Sequence, residues 1–321
     1  MMAWSSRHRF GLGLGLVLAT AIVSGVSTFV NSYAVAGTNS DAFVTVRNVA
    51  VAGMLVPFAA VAAVRRPSAP ALRRGDWVRL ATIGLVGGAI PFLLFFHGLE
   101  LATAAGGATT ASFLYRTLFL FATVFAWLFL RERFRWEIVL GAVLLLAGSY
   151  LLLSLNSVVW TDGSMYVLAA TVLWAAEYTL SKRTLRDLPA STVGLGRMGF
   201  GALFLVAYLT VTAQWGAAAG FSSAQWEWVA ISALLLTAFV ATWYSGLARI
   251  DLSVATAVLV VGYPVTWLLS VGLRGEIVLA ASVAGTVAVA FGVLAAIGPA
   301  PWRELVQRVR DRRPRPLEPS A

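Results

Sequence analysis

Long stretches without a charged side chain recur along the whole chain. Each is close to the length of about 20 mainly apolar residues that an α-helix needs to cross the core of a bilayer. Short polar segments, many of them rich in arginine, separate these stretches. The pattern predicts an all-α integral membrane protein with ten transmembrane helices, near residues 10–35, 42–64, 78–99, 104–130, 136–154, 163–183, 191–213, 226–248, 253–273 and 277–298.

The chain reads as two copies of one five-helix unit. Residues of the same type recur in the same order and at nearly constant spacing: Arg47 and Arg197, Gly98 and Gly246, Glu132 and Glu276, Gly141 and Gly285, Gly148 and Gly292. Because each copy holds an odd number of spans, the second copy must enter the membrane upside down. Such inverted repeats are typical of secondary transporters. We therefore divide the chain into a first repeat at 1–154, a second repeat at 155–300 and a basic tail at 301–321.

The basic residues indicate how the chain crosses the membrane. If the N-terminus is cytoplasmic, nearly all lysines and arginines outside the spans fall on the cytoplasmic side, and Arg274 is the exception. This is the bias that short loops show in membrane proteins. The loop after the second span is rich in arginine, whereas its counterpart after the seventh span has none, as the inversion requires. We predict a multi-pass protein of the inner (plasma) membrane with both termini cytoplasmic.

Composition excludes several other classes of protein. Of the 321 residues, 59% are hydrophobic and 12% are charged, about half the charged fraction of a typical soluble domain. The net charge of +10 does not indicate a nucleic-acid partner, because the basic residues form short clusters between apolar spans. The absence of cysteine excludes thiolate metal sites, and two histidines leave little for a histidine-based site. We expect no metal and no cofactor.

Arg116 lies near the middle of the fourth span. An ionisable group at that depth costs about 2.5–3.5 kcal/mol on insertion scales and usually faces an interior cavity. It belongs to a partly polar stripe at helical spacing, with Thr109, Ser112 and Thr123. Two interpretations stay open. Arg116 either binds an anionic or carboxylate-bearing substrate, or it pairs with a neighbouring carboxylate or carbonyl group and never contacts substrate.

Glu177 is the one carboxylate near the middle of a span. It shares a helix face with Trp174, Tyr178 and Ser181, which are spaced i, i+3, i+4 and i+7 along the chain. A low-dielectric surrounding favours the protonated form of a carboxyl group, so Glu177 is a candidate for proton coupling. It is equally a candidate to contact a substrate amine, to pair with Arg116, or to have only a packing role.

Arg47 and Arg197 occupy equivalent points of the two copies, a few residues into their spans. The inversion places Arg47 near the outer face and Arg197 near the inner face. They are either matched gate elements, one on each face, or scaffold groups that snorkel or bond to a helix end. Aromatic rings suit amphipathic solutes, and four are expected to line the central cavity: Tyr115, Trp174, Trp243 and Tyr263.

Several stretches, taken together in order and spacing, resemble one known family. The first copy contains FLLFFHGLELATAAGG and TVFAWLFLRERFRWEIVLGAVLLLAGSYLL, and the second contains YVLAATVLWAAEYTLSKR, GLGRMGFGALFL and GLARIDLSVATAVLVVGYPVTWLLSVGLRGE. The chain resembles the EamA-type ten-helix carriers of the drug/metabolite transporter superfamily. The resemblance implies a carrier that works by alternating access, with a central cavity formed mainly by spans 1, 3, 4, 6, 8 and 9.

This chain departs from the family pattern in its fourth span. Span 9 has a family-like proline, Pro264, whereas span 4 has TLFLFATVF where a proline is expected. Between Gly98 and Glu132 the first copy is also four residues longer than the second copy is between Gly246 and Glu276, or about one helical turn. These differences predict a first-copy cavity wall unlike that of its relatives.

The function that these patterns favour is secondary transport. We expect an exporter of amino-acid-like or other carboxylate-bearing solutes, with a small-molecule substrate and the lipid bilayer as partners. Export of multiple drugs, toxic compounds or lipid-like molecules is the alternative within the same fold. An intramembrane enzyme would need paired carboxylates, a metal cluster or a nucleophile with its base, and a channel would need a continuous polar stripe. The sequence has neither the residues that such an enzyme would need nor the stripe that a channel would need. A homodimer is possible from the sequence.

Overall fold

The computed structural model describes residues 2–34, 38–64, 71–133, 135–154 and 158–298, and within these ranges the chain is helical with no strand. The predicted tail at 301–321 lies outside the described residues. Helices occupy each of the ten predicted positions, and we number these α1 to α10. They are α1 (Met2–Ala34), α2 (Ser40–Val64), α3 (Arg74–Ala104), α4 (Ala108–Leu130), α5 (Trp136–Leu152), α6 (Asp162–Thr184), α7 (Ala190–Val211), α8 (Ser223–Leu247), α9 (Leu252–Arg274) and α10 (Ala280–Ile297), with a short helix Trp215–Ala219 between α7 and α8.

Eight of the described helices are long and apolar enough to cross a membrane, so ten spans are not established by length and composition. Helix α5 is apolar but has only 17 residues. Helix α6 does not reach the required apolar character, because it carries Glu177 and a basic last turn with Lys182 and Arg183. Many of its residues pack against other helices, and a helix that is surrounded by protein can carry polar groups that lipid would not accept.

Helices α5 and α10 pack closely through the recurring glycines. A methyl group built on Gly148 would lie 2.8 Å from the carbonyl oxygen of Gly285, and one built on Gly141 would lie 2.8 Å from that of Gly292. Small residues allow this close approach of two helix backbones. The contacts join the first glycine of one helix to the second glycine of the other, so α5 and its counterpart α10 run antiparallel. Equivalent helices of the two copies therefore point in opposite directions.

The repeat also relates the contact between α3 and α6 to the contact between α8 and α1. Gly98 of α3 packs against Gly163 of α6, and its repeat counterpart Gly246 of α8 packs against Gly13 of α1. The interface between α3 and α6 thus has an equivalent in the interface between α8 and α1. The two copies are interleaved, since α1 packs on α8 and α6 packs on α3.

Helices α4 and α9 are both interrupted, at equivalent points. Helix α4 breaks at Thr117, and α9 breaks at Val260 and Val261, one turn before Pro264. A proline is therefore not needed for the break. The four extra residues of the first copy do not lie in α4, which begins 144 positions before α9, as Glu132 precedes Glu276. They lengthen the end of α3 and the α3–α4 turn, and a first-copy cavity wall unlike that of relatives stays a prediction.

The surface and the interior of the bundle differ as expected for a protein in lipid. Phe58, Leu140, Leu234 and Phe291 are each 57–60% exposed on outer faces of different helices, where hydrocarbon would solvate them. The largest fully buried side chains include Trp243 and Tyr244. Both residues lie on α8 and pack against α6. Helices α6 and α8 therefore form part of the interior of the bundle.

Candidate substrate cavity

A cavity of about 380 Å³ lies between the two copies. Its size is that of a small-molecule site. Among the described helices α1 to α10, eight contribute to its wall, and α5 and α10 do not. The lining residues are Ser24, Ser27, Thr28, Asn31 and Ser32 on α1, Arg47 on α2, Phe92, Phe95, Phe96 and Leu99 on α3, Ser112, Tyr115 and Arg116 on α4, Trp174 and Tyr178 on α6, Arg197 on α7, Leu236 and Phe239 on α8, and Tyr263 on α9.

The cavity is displaced toward one end of the bundle. We call the end at which α1 begins the base and the opposite end the mouth. The α1 residues that line the cavity come from its second half, and Leu99 and Ser112 flank the α3–α4 turn at the mouth. At the base, Gly13 of α1 packs against Gly246 and Ile250. The cavity therefore belongs to the mouth half, with packed helices between it and the base.

Polar contacts hold the base closed, those of Glu132 between the two copies and those of Lys182 within the second copy. Glu132, which follows α4, accepts hydrogen bonds from the backbone N–H groups of Leu252 (2.6 Å) and Ser253 (3.2 Å) and from the Ser253 hydroxyl (2.6 Å). A carboxylate is favourable at this helix N-terminus, where unpaired N–H groups carry partial positive charge. Lys182 donates to the carbonyl oxygens of Leu247 and Ile250 at 2.7 Å each, and thereby caps the end of α8.

Removing the Glu132 carboxylate is expected to open the base. Hydrogen bonds to a charged group contribute about 1.5–3 kcal/mol each, so Glu132→Ala should raise the population of a base-open state by tenfold or more. The chain has no cysteine, so a single cysteine placed at buried Thr256 on α9 reports access. Maleimide should label Thr256→Cys in Glu132→Ala at least ten times faster than in the parent. The exposed Glu137→Ala is the control, and equal rates in all three proteins would show that Glu132 does not hold the base closed.

Arg116 faces the cavity from the last turn before the break in α4. Its guanidinium carbon lies 4.0 Å from the centre of the Tyr263 ring, just after the break in α9. Its Nη1 atom is buried, and no hydrogen-bond partner for it exists among the described residues. Glu177 pairs with Arg197 instead, and no ion pair joins Arg116 to Glu177 among the described residues. A buried donor without a partner is costly, and a ligand in the cavity could satisfy it.

Arg47 and Arg197 lie together beside the cavity, not on opposite faces. Both side chains are buried, and their guanidinium carbons are 5.2 Å and 5.8 Å from the centre of the same ring, that of Phe92. The expectation that each serves one face of the membrane is wrong. Arg47 donates to the side-chain oxygen of Asn48, and Arg197 donates to the carbonyl oxygen of Gly87 at 2.9 Å. Their long side chains reach inward to the same point of α3.

A π-helical turn in α3, Gly84–Ala89, supplies the acceptors at that point. Such a turn disturbs the regular bonding of an α-helix and is frequent at functional sites. The carbonyl oxygen of Gly87 accepts from both Arg197 and the indole N–H of Trp174 (3.1 Å), and that of Gly88 accepts from the Asn48 side chain (3.2 Å). The turn thus positions one cation and one aromatic ring of the cavity wall.

Glu177 is fully buried behind the cavity wall and does not line it. Its carboxylate forms an ion pair with Arg197 (Oε2 to Nε, 3.3 Å), and it accepts hydrogen bonds from Ser181 (2.5 Å) and Tyr244 (2.7 Å). Trp243 likewise lies behind the wall, 4.6 Å from Tyr178 between ring centres. Neither residue contacts the cavity as the sequence pattern had indicated, because Tyr178 and its neighbours stand in front of them.

An aromatic cluster around Trp174 forms one side of the cavity. The Trp174 ring centre is 5.3 Å from that of Phe92, 5.5 Å from that of Phe95 and 5.4 Å from that of Tyr115. These tilted and edge-on arrangements are the favourable ones for aromatic pairs. Trp174, Tyr115 and Tyr263 therefore all line the cavity, as expected from the sequence.

The family resemblance implied that α1 and α3 border the cavity, but the sequence interpretation named none of their lining residues. A polar stripe on α1 faces the cavity at spacings of three and four residues, and this helical period was a readable signal. An apolar stripe on α3 follows the same spacing. The α1 residues are Ser24, Ser27, Thr28, Asn31 and Ser32, and the α3 residues are Phe92, Phe95, Phe96 and Leu99.

In the described part of the chain, no three histidine or acidic side chains come together as a metal site would require.

A bundle of apolar helices in two related halves around a solute-sized cavity has the architecture of a membrane transporter. The sequence model of the EamA-like transporter family matches residues 11–154 and again residues 161–298. The chain belongs to this family, within the drug/metabolite transporter superfamily. No curated protein matches the sequence. A solved structure titled only as a crystal structure of a protein is similar in fold, with a TM-score of 0.69, 19% identity and coverage of 92% of this chain and 98% of its own.

Proposed function

We propose that this protein is a secondary transporter of small carboxylate-bearing solutes. The observation that carries the proposal is Arg116, whose buried Nη1 has no protein partner in the described structure and borders the cavity. A guanidinium group presents paired N–H donors that match a carboxylate. A substrate carboxylate would satisfy the donor that the protein leaves unpaired. Export is the proposed direction, because the family resemblance is to exporters.

The packing of the two copies supports alternating access as the mechanism. The base is held closed by contacts of Glu132 and Lys182, while the cavity lies toward the mouth. Exchange of the roles of the two antiparallel copies would open the base and close the mouth, as in other carriers with inverted repeats. The breaks in α4 and α9 place irregular backbone beside the cavity, which is where a membrane protein tolerates it.

The proposal includes the membrane placement and organisation that the sequence favours. We infer ten spans in two inverted repeats, at 1–154 and 155–300, with cytoplasmic termini in the inner membrane. The mouth then faces outward. Glu177 remains a candidate for proton coupling through its ion pair with Arg197 and not through substrate contact. A homodimer is not part of the proposal, because lipid accounts for the exposed apolar faces.

Arg116 variants test the proposed substrate contact. In bacteria that express the protein, mass spectrometry of cells and medium should reveal carboxylic solutes that the wild type redistributes. Arg116→Ala should reduce the initial rate about 10- to 100-fold, since a hydrogen bond to a charged group contributes about 1.5–3 kcal/mol. Arg116→Lys should recover only part of it, because lysine cannot form the paired contact.

The matched control is Arg186→Ala, an exposed arginine after α6, at equal abundance in the membrane. It should transport at the wild-type rate. Redistribution of the same solutes by Arg116→Ala at the wild-type rate would reject the substrate contact. Redistribution of lipids or cationic drugs alone would reject the proposed substrate class.

A further inference from the structure

We infer that the substrate is an organic anion that lacks an ammonium group and carries an apolar, preferably aromatic, body. The inference rests on the proposed function and narrows its substrate class. It sets aside zwitterionic amino acids, although the sequence pattern alone includes them. The carrying observation is that one cavity combines a cluster of aromatic rings with a cationic lining, in which Arg47 and Arg116 have no carboxylate partner among the described residues.

The charge of the cavity wall has one sign. Arg47, Arg116 and Arg197 line it, and no carboxylate does so among the described residues. The α1 stripe adds hydroxyl and amide groups, which are neutral. Glu177 lies behind the wall, fully buried, with its carboxylate bound by Arg197, Ser181 and Tyr244. A substrate carboxylate would be attracted by this wall, whereas an ammonium group would be repelled and would find no ionic partner.

Two aromatic rings of the cavity wall, those of Phe92 and Tyr263, already have cations beside them. A cation can bind over an aromatic ring within about 6 Å of its centre. The Phe92 ring already has the guanidinium groups of Arg47 and Arg197 within that distance, and the Tyr263 ring has that of Arg116 at 4.0 Å. A second cation at either ring would lie beside a like charge, which opposes binding.

The remaining wall suits an apolar body of limited size. Phe92, Phe95, Tyr115 and Trp174 present adjoining rings at centre distances of 5.0–5.5 Å. An aromatic ring placed against them would gain apolar contact and edge-to-face packing. A cavity of about 380 Å³ lies in the lower part of the volume range of small-molecule sites. One ring on a short carboxylate chain fits this volume.

A set of near-isosteric compounds tests the inference on the purified full-length protein in lipid nanodiscs. The compounds are 3-phenylpropanoate, phenylalanine with its added ammonium group, 2-phenylethylamine without a carboxylate, and propanoate without a ring. Binding is measured as displacement of radiolabelled 3-phenylpropanoate and as direct titration. We expect 3-phenylpropanoate to bind at least tenfold more tightly than phenylalanine and propanoate, and 2-phenylethylamine not to bind. Arg116→Ala should lose most of the affinity for 3-phenylpropanoate.

The outcomes separate this inference from the proposed function. Equal or tighter binding of phenylalanine would overturn the exclusion of ammonium and leave a carboxylate carrier. Equal binding of propanoate would overturn the requirement for an apolar body. Binding of 2-phenylethylamine in place of the acids would overturn both this inference and the proposed function. If the purified protein is folded, as judged by its melting temperature, and binds none of the acids, the inference is overturned.

Discussion

Replacing Glu177 with glutamine is expected to destabilise the protein strongly. Its carboxylate is fully buried and forms an ion pair with Arg197, itself only 3% exposed. Removal of one member of a buried ion pair costs about 3–5 kcal/mol, because the other charge stays buried without compensation. Thermal unfolding of the detergent-purified protein should therefore occur at a temperature many degrees lower in Glu177→Gln than in the wild type.

A double-substitution cycle separates the ion pair from its other contacts. The two single variants Glu177→Gln and Arg197→Gln should each lower the melting temperature, and the double variant should lose much less than their sum, because no uncompensated charge remains. Glu100, exposed on α3, supplies the control Glu100→Gln, which should melt as the wild type does. Additive losses in the cycle would show that the pair does not act as a unit.

The same variant decides whether Glu177 couples transport to protons. Transport by Glu177→Gln, measured where the variant remains folded, should lose its dependence on an imposed pH gradient if the carboxyl group carries the coupling proton. Transport that still follows the gradient would reject that role, and Glu177 would then be a group that only orients Arg197 at the cavity wall.

Replacing Gly87 with alanine is expected to have the second large effect. The added methyl group would lie 2.2 Å from Cγ and 2.6 Å from Cδ of Glu177, far inside contact distance. Relief of this clash must move the Glu177 side chain away from its partners or shift the π-helical turn, whose Gly87 carbonyl also binds Arg197 and Trp174. Overpacking of this kind costs about 1–3 kcal/mol or more, and the lost polar contacts add to that cost. We expect little monodisperse protein on size-exclusion chromatography.

Gly53→Ala is the matched control for Gly87→Ala. Gly53 lies within α2, and a methyl group added there meets no atom within 4 Å. Alanine is a better helix former than glycine, so this variant should be as stable as the wild type or slightly more so. Equal behaviour of the two variants on chromatography and in thermal unfolding would contradict the tight packing at Gly87.

The helices and the repeat were predictable because they depend on composition and spacing. Charged groups are costly in hydrocarbon, so the charge-free stretches had to mark the helices. The glycines at 141, 148, 285 and 292 recur at one spacing, and the structure places them in one antiparallel contact. The polarity of α6 was less predictable. Its placement among other helices removes the need for an apolar surface, and sequence alone cannot say which helix the others surround.

The candidate site was predictable only in part. The polar stripe predicted Arg116 at the cavity, and their aromatic character predicted Tyr115, Trp174 and Tyr263 there. Helical spacing could equally have revealed the polar stripe of α1. It could not reveal that Tyr178 and its neighbours separate Glu177 and Trp243 from the cavity, since that depends on which helices cross in front. Nor did it predict the break of α4 at Thr117. A helix lacking proline can still be interrupted where neighbouring groups satisfy the freed backbone.

The sequence by itself determined the class of fold, the twofold repetition and the presence of three arginines and one glutamate inside the apolar stretches. These follow from the free energy of placing each residue type in lipid and from the period of a helix. Only the tertiary structure decided which charges meet. The π-helical turn binds Arg197 through the Gly87 carbonyl and Asn48, the partner of Arg47, through the Gly88 carbonyl. Both guanidinium groups therefore lie beside Phe92, and Arg197 forms the ion pair with Glu177. Arg116 keeps an unpaired donor at the cavity, because no carboxylate of another helix reaches it.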